Sequence, residues 1–272
     1  MNPVTTIDPV KSTDPTPPGA KLTFDWSEFP WWFIGIVLTV AFPIYKVLTD
    51  ENWNEGFLFI KDGITLTFSV TIGGFAIAMI VGLGLSLARM SPRLIPRNLA
   101  IYYIELIRGI PVLVTIIMFG LVIVPWFFNL VGISLQSTIG SKAIRASVAI
   151  GLIYAAFIAE VLRAGIESVG VGQREAGKAV GLNGRQVFRF IVWPQAIKNI
   201  MPALGNDLIA LLKDSSLVSI LAVRELTQMS RLWTGRSFQF FAGFMILAAM
   251  YLTLTVSLSM LLQWYERRIA TP

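Results

Sequence analysis

The sequence predicts an all-α membrane protein with about six transmembrane helices, and three observations carry that expectation. Hydrophobic residues make up 55% of the chain and charged ones only 14%, a balance too apolar for an ordinary soluble domain. Residues 63–88, 109–141 and 237–265 contain no charged side chain, and each run exceeds the ~20 apolar residues that cross a bilayer as a helix. The charges gather instead in short connecting segments, as they do in chains that thread a bilayer. Two shorter uncharged runs, 29–45 and 146–159, become spans once their flanks are included. A water-soluble bundle is excluded, because helices without a polar face have nowhere to go in water.

Composition removes several kinds of chemistry. The chain has no cysteine and no histidine, so disulfides, thiol nucleophiles, most zinc sites and histidine acid–base catalysis are ruled out. No catalytic residue and no metal ligand is assigned. The net charge of +6 does not require nucleic acid, since short cytoplasmic loops of membrane proteins collect Lys and Arg.

Taken in order, residues 1–29 are polar and proline-rich ("DPTPPGAK") and lack a basic start followed by an apolar core. They read as a disordered cytoplasmic tail, with "FDWSEFPWW" at the membrane surface. Residues 30–62 supply a first span (30–49) and an external acidic loop, "DENWNEG". The second span covers 63–88. The loop "RMSPRLIPR" then sets Arg89, Arg93 and Arg97 together without an acid, which places it in the cytoplasm. Alternation sends span three (100–127) outward and span four (143–164) inward. Residues 165–200 are cytoplasmic, span five (201–223) runs outward, and span six (238–265) returns to a cytoplasmic C-terminus at 266–272. Both termini lie inside. Arg224, Arg231 and Arg236 fall on the outer side against the charge rule, where an external partner surface would account for them.

Span five is unusual for its polarity. It carries Asn206, Asp207, Lys213 and Asp214, and ionisable groups at membrane depth are costly unless they face a cavity or pair. Asp207 and Asp214 are seven residues apart and share a helix face. Lys213 is placed to pair with either acid or with Glu160 on span four. The residues alone fit two roles, a packing pair or the lining of a transport path. Span three opens with "IELIRGIPV", where Glu105 and Arg108 stand at i, i+3 and can pair, before Gly109 and Pro111 bend the helix.

The cytoplasmic stretch 165–200 reads as two short helices around a turn. "VGQREAGKAV" forms the first, and "GLNG" ends it, with Gly181 suited to the helix C-terminus. "RQVFRFIVWPQA" begins the second, with Val187, Phe188, Ile191 and Val192 on one apolar stripe and Pro194 behind. A stripe of this kind enters a groove on a soluble partner or lies on anionic lipid, and the spacing does not separate the two.

Three blocks settle on a resemblance. Glu175-Ala176-Gly177, Gly181, Ile191 and Pro194 resemble the EAA loop of permease subunits in ATP-binding cassette importers. "YIELIRGIPVLV", "YAAFIAEVLRAGIESVGVGQREAGKAVGL" and "WPQAIKNIMPALGNDLIALLKDSSLVSIL" resemble the polar amino-acid branch of that family, in the family's order, across roughly residues 60–265. One departure is Gly177, where the resembled loop has a second alanine; glycine weakens a helix by about 1 kcal/mol, so a looser first loop helix is expected.

The resemblance implies a five-helix permease core at 63–265, with the N-terminal span added. It also implies an ATPase-coupling loop at 165–200 through Glu175, Ala176, Gly177, Gly181, Leu182, Phe188, Ile191 and Pro194. Implied partners are a second permease subunit, identical or not, two ATPase subunits that hold ATP and Mg, an extracytoplasmic amino-acid binding protein, and membrane lipid. The chain has no GxxxxGK[ST] motif, so no nucleotide or other cofactor is expected on it. Its implied place is the inner membrane of a prokaryote. The implied activity is ATP-driven import of polar amino acids by alternating access. A zwitterionic substrate needs an acid for its ammonium and a cation for its carboxylate; Asp207, Lys213 and Asp214 are the first candidates, then Glu160, Glu105 and Arg108. The competing reading is a self-contained secondary transporter or channel for small polar solutes, but such proteins carry internal repeats and none is evident. An intramembrane aspartyl protease would need a second Asp-bearing motif, which is missing.

Overall fold

A computed structural model describes residues 31–133 and 139–270. The expected N-terminal tail and surface stretch, and part of the loop before span four, lie outside the described residues. Residues 1–37 and 38–272 separate into two compact units; of the first, only the opening turns of the first helix are described.

Every regular element is helical among the described residues. The order is α1 (Trp31–Thr49), α2 (Glu51–Ile60), α3 (Ile64–Arg89), α4 (Leu94–Gly109), α5 (Val112–Ile117), α6 (Val124–Leu130), α7 (Ile139–Glu167), α8 (Val171–Ala179), α9 (Gly184–Val187), α10 (Trp193–Asp214), α11 (Leu226–Ser237) and α12 (Phe240–Ala270). Among the described residues four segments are long and apolar enough to cross a membrane: Glu51–Arg89, Val112–Leu130, Lys142–Glu167 and Phe240–Arg268, with a shorter apolar helix at Ile34–Thr49. α10 has the length of a span but carries the ionisable residues noted above.

α7 is the most buried of the four spans and packs along α3. The contact is close because small residues line it. A Cβ on Gly74 would stand 2.6 Å from Ile150 Cγ2, and one on Gly151 would stand 2.8 Å from the Gly74 carbonyl. Close backbone approach is the usual basis of helix association in lipid, where hydrophobic driving force is absent. The main core joins α3, α4, α7 and α10 through Val70, Ile104, Ile150, Ile153, Ile158, Ile200 and Leu211. A second cluster gathers Trp53, Ile60, Leu226, Trp233 and Ile246.

One difference from the sequence reading and one agreement with it have clear causes. The acidic run 50–56 is not a loop but the start of α2. Asp50 caps it by accepting from the Asn52 and Trp53 amides at 3.0 and 3.4 Å, and Glu51 favours the N-terminal end of the helix dipole. Its buried residues Trp53, Gly56 and Ile60 fall at helical spacing within a polar run. Span three breaks where Gly109 and Pro111 predicted a bend: Ile110, held extended before proline, separates α4 from α5 at φ −102°, ψ 139°.

Two π-helical turns, Met118–Ile123 and Phe188–Val192, each end two residues before a proline, Pro125 or Pro194. In both, the residue just before the proline bonds five positions back, Val124 N–H to Phe119 O and Trp193 N–H to Phe188 O. A proline supplies no N–H and its ring crowds the carbonyl four residues back. The wider turn makes room for the ring and lets the helix continue.

Candidate functional site

The loop between α7 and α10 is closed by two local motifs. α8 ends at Gly181, whose φ of +87° suits a residue without a side chain. Gly181 N–H bonds Lys178 O at 3.0 Å and Leu182 N–H bonds Gly177 O at 3.2 Å, the paired bonds of a Schellman turn. α9 begins at once with a capping box, Asn183 accepting from the Gln186 amide at 3.0 Å and Gln186 accepting from the Asn183 amide at 2.9 Å. The spacing N-x-x-Q is a readable start signal that sequence reasoning passed over.

Gly177 is buried against the next helical turn. A Cβ there would lie 2.4 Å from Ile191 Cδ1 and 3.2 Å from Val187 Cγ2. Glycine at this position therefore permits close packing of α8 on the Phe188–Val192 turn; it is not simply a weaker helix residue. The apolar stripe needs correction for the same reason. Val187 and Val192 are buried within the chain and Ile191 is half-buried, leaving Phe188 as the exposed member. The stripe packs inward, so it is not a free docking face. Glu175 and Ala176 on α8, and Pro194 at the start of α10, are exposed, and Leu182 is half-buried. Pro194 does not end the second loop helix either: through the π turn that helix runs on into α10.

The loop is tied to α7. Arg174 Nη2 donates to Ile166 O at 2.6 Å, and Asn199 Nδ2 of α10 donates to Ser168 Oγ at 2.9 Å. Gly165 admits Ile200 so closely that a Cβ would meet its Cγ1 at 2.2 Å.

The ionisable candidates fall into two groups. In the first, Tyr154 OH of α7 donates to Asp214 Oδ2 at 2.8 Å, and Asp207 lies within electrostatic reach of the same phenol. Asp207 Oδ2 is buried with no hydrogen-bond partner among the described residues. The second lies where α3, α4 and α7 approach the loop. Glu160 pairs with Arg89 and, at 2.9 Å, with Arg163; Arg163 also pairs with Glu167. Glu105 stands 4.0 Å from Arg89. Arg108 adds a positive charge within reach of Glu160. Three expected pairings are thereby corrected. Glu105 and Arg108 form no ion pair, because Glu105 turns towards Arg89. Lys213 is exposed and pairs with neither aspartate, since it lies on a different side of α10 from the face that Asp207 and Asp214 share. Nor does Lys213 reach Glu160, which the two arginines enclose. From the sequence Arg89 reads only as a charge of the basic loop, and nothing there marks Tyr154 or Arg163 as part of a site.

A further buried acid pins the opposite end of the bundle. Glu225 caps α11 by accepting from the Thr227 and Gln228 amides, both at 2.8 Å, and it accepts from Tyr251 OH of α12 at 2.8 Å. Leu226 N–H donates to Thr67 Oγ1 of α3 at 3.2 Å. Burial pushes the Glu225 carboxyl above the ordinary glutamate range, and the amide hydrogen bonds oppose that rise. Arg236, one of the three outlying arginines, stacks 4.0 Å over the Phe59 ring and stands 3.9 Å from Glu55. Among the described residues no group of three acids is placed to hold a metal ion.

Comparison with known proteins gives these features a family. Residues 80–271 match the family described as binding-protein-dependent transport system inner membrane component. The chain is 34% identical to the Escherichia coli (strain K12) inner membrane amino-acid ABC transporter permease protein YhdY over 77% of its own length, and spans 56% of the length of that relative. It is 32% identical to the glutamine transport system permease protein GlnP of the same organism, covering 76% of this chain and 91% of that one. A solved amino acid ABC transporter with histidines superposes with a TM-score of 0.68 at 32% identity, over 77% of this chain and 94% of that chain. The chain belongs to the binding-protein-dependent transport system inner membrane component family. It is a multi-pass inner-membrane protein and a transport permease subunit, with the fold of a type I importer permease.

Proposed function

We propose that the chain imports polar amino acids as one permease of an ATP-driven transporter with two permeases and two ATPase subunits. The observation that carries this reading is the loop. Its exposed face presents Glu175, Ala176 and Phe188, while its buried face is fastened to α7 by Arg174 and runs unbroken into α10. A loop held this firmly passes on a push where a loose linker would absorb it. The ATPase subunits sit beneath it and hold ATP and Mg, and this chain binds neither. The basic loops support a cytoplasmic position for both termini, and an extracytoplasmic binding protein delivers substrate from the other side.

The acidic group on α10 is the proposed seat of the substrate ammonium. Asp207 and Asp214 share a face, and the unpartnered Asp207 oxygen leaves a strong acceptor open. The relatives named for glutamine and for amino acids in general support a polar amino acid as cargo. The ion-pair group around Glu160 then braces the loop end of the spans and does not touch substrate.

The test is to purify the chain with its ATPase and second permease and measure substrate-stimulated ATP hydrolysis in proteoliposomes. Stimulation by an amino acid supports the reading. Uptake by the chain alone, without ATP, would refute it.

A further inference from the structure

Between α1 and α12, beside the α2–α3 junction, lies an apolar groove of about 440 Å³. Its walls are Val40 to Leu48 on α1 and Ile246 to Leu254 on α12. Among the residues that line it, Thr253 alone bears a hydroxyl, which already bonds its own helix at Ala249 O, 2.8 Å away, so the groove makes no unmet polar demand. Ile44 and Leu48 are 54% and 78% exposed among the described residues. In the hydrocarbon core such a space fills with hydrocarbon. Its volume is about three times the ~150 Å³ of an engineered cavity that stays dry and accepts benzene.

The dimensions select the occupant. Each wall rises eight residues, which at ~1.5 Å per residue is about 12 Å, close to half of a hydrocarbon core of about 30 Å. One end opens at Leu48, beside the capped turn into α2; the other ends at Val40 and Leu254, near the middle of their helices. A groove running from the interface to mid-bilayer has the depth of one leaflet. The geometry points to a lipid site: one acyl chain of a phospholipid, in the leaflet on the side of the α1–α2 turn, seated between α1 and α12 and bracing them together. The site does not depend on the substrate or on which side of the membrane that turn occupies.

The test uses the full chain in nanodiscs of phosphatidylethanolamine and phosphatidylglycerol, doped with a phospholipid that carries a diazirine along its acyl chain. After irradiation, mass spectrometry maps the adducts. They should concentrate on residues 40–48 and 246–254 above the exposed α3 positions Ile72 and Ile80. Ala249→Phe and Met250→Trp, made separately because either alone could disturb packing, should each lose the groove adducts while α3 labelling stays unchanged. Even labelling of every exposed apolar face would overturn the site, as would groove labelling that survives both fillers. A diazirine fatty acid labelling the groove in preference to the phospholipid would overturn the assigned ligand. The chain has no cysteine, so Val47→Cys offers a single cross-linking point; its capture of a protein partner in the assembled transporter would assign the groove to a helix instead.

Discussion

Replacing Gly177 with alanine sets two effects of similar size against each other. Alanine gains about 1 kcal/mol over glycine inside a helix. Its Cβ, however, would lie 2.4 Å from Ile191 Cδ1 and 3.2 Å from Val187 Cγ2. Relieving such overlap by rotating Ile191 or shifting α8 costs about 1–3 kcal/mol. The single variant should therefore be neutral to about 2 kcal/mol less stable, despite its better helix former. Ile191→Val removes the offending methyl. Alone it costs about 0.5–1.5 kcal/mol, at the low end because Ile191 is only half-buried. In the double variant the alanine gain is realised without the overlap, so the pair should be more stable than the sum of the singles by about 1–2 kcal/mol. The assay is a double-mutant cycle of thermal midpoints for the purified chain, with substrate-stimulated ATP hydrolysis of the assembled transporter as the functional readout. Additivity within about 0.5 kcal/mol, or a full alanine gain in the single variant, would refute the packing account of Gly177.

Gly181→Trp forces a bulky residue into φ +87°, at about 1–2 kcal/mol of backbone strain, on the exposed side of the loop; it should abolish substrate-stimulated ATP hydrolysis while membrane insertion stays normal, and full transport by this variant would exclude the loop as the coupling element. Asp214→Asn keeps an acceptor for Tyr154 but removes a charge from the acidic group, so uptake should fall more than assembly with the ATPase, and equal loss of both would leave Asp214 a packing role only. Glu225→Gln presents an N–H₂ to one of three donors and should lower stability by about 1–2 kcal/mol. The same glutamate makes a pH test: a carboxyl raised by folding stabilises the protein when protonated, so the wild-type thermal midpoint should fall as pH rises above the ordinary value of 4.5, and this step should vanish in Glu225→Gln.

What was legible in the sequence was what depends on local composition. Uncharged runs located the apolar spans, because a bilayer tests hydrophobicity one helix at a time. Gly109 and Pro111 marked a real break, and Gly181 a real helix end, since both act through backbone conformation. Packing partners were not legible. The stripe Val187–Ile191–Val192 has the same periodicity whether it faces a partner or the chain's own α8, and only the absence of a Cβ at Gly177 hinted that α8 would cover it. Tyr154 looked like any apolar-span tyrosine until the fold set it against Asp214, 60 residues away. Lys213 adjoins Asp214 in the sequence, yet adjacent helix residues point in different directions.

Pro194 shows why the loop and the acidic group belong to one mechanical unit. Read locally, a proline there ends a helix and uncouples what precedes it. The π turn at Phe188–Val192 instead supplies the Trp193-to-Phe188 bond and carries the helix past the ring. From Pro194 to Asp207 is thirteen residues, about 20 Å at ~1.5 Å per residue. On the proposed reading, displacement of the loop at Phe188 tilts the same helix, past Pro202 within it, that carries both aspartates, with α7 following through Arg174 and through Tyr154. Pro194→Ala restores an N–H donor with a carbonyl available four residues back and favours an ordinary α turn, which would change the register of the loop against α10 by the one residue the π turn inserts. Under this account Pro194→Ala keeps or raises helix stability yet weakens coupling between ATP hydrolysis and uptake. Unchanged coupling in a well-folded Pro194→Ala variant would show that loop and acids move independently.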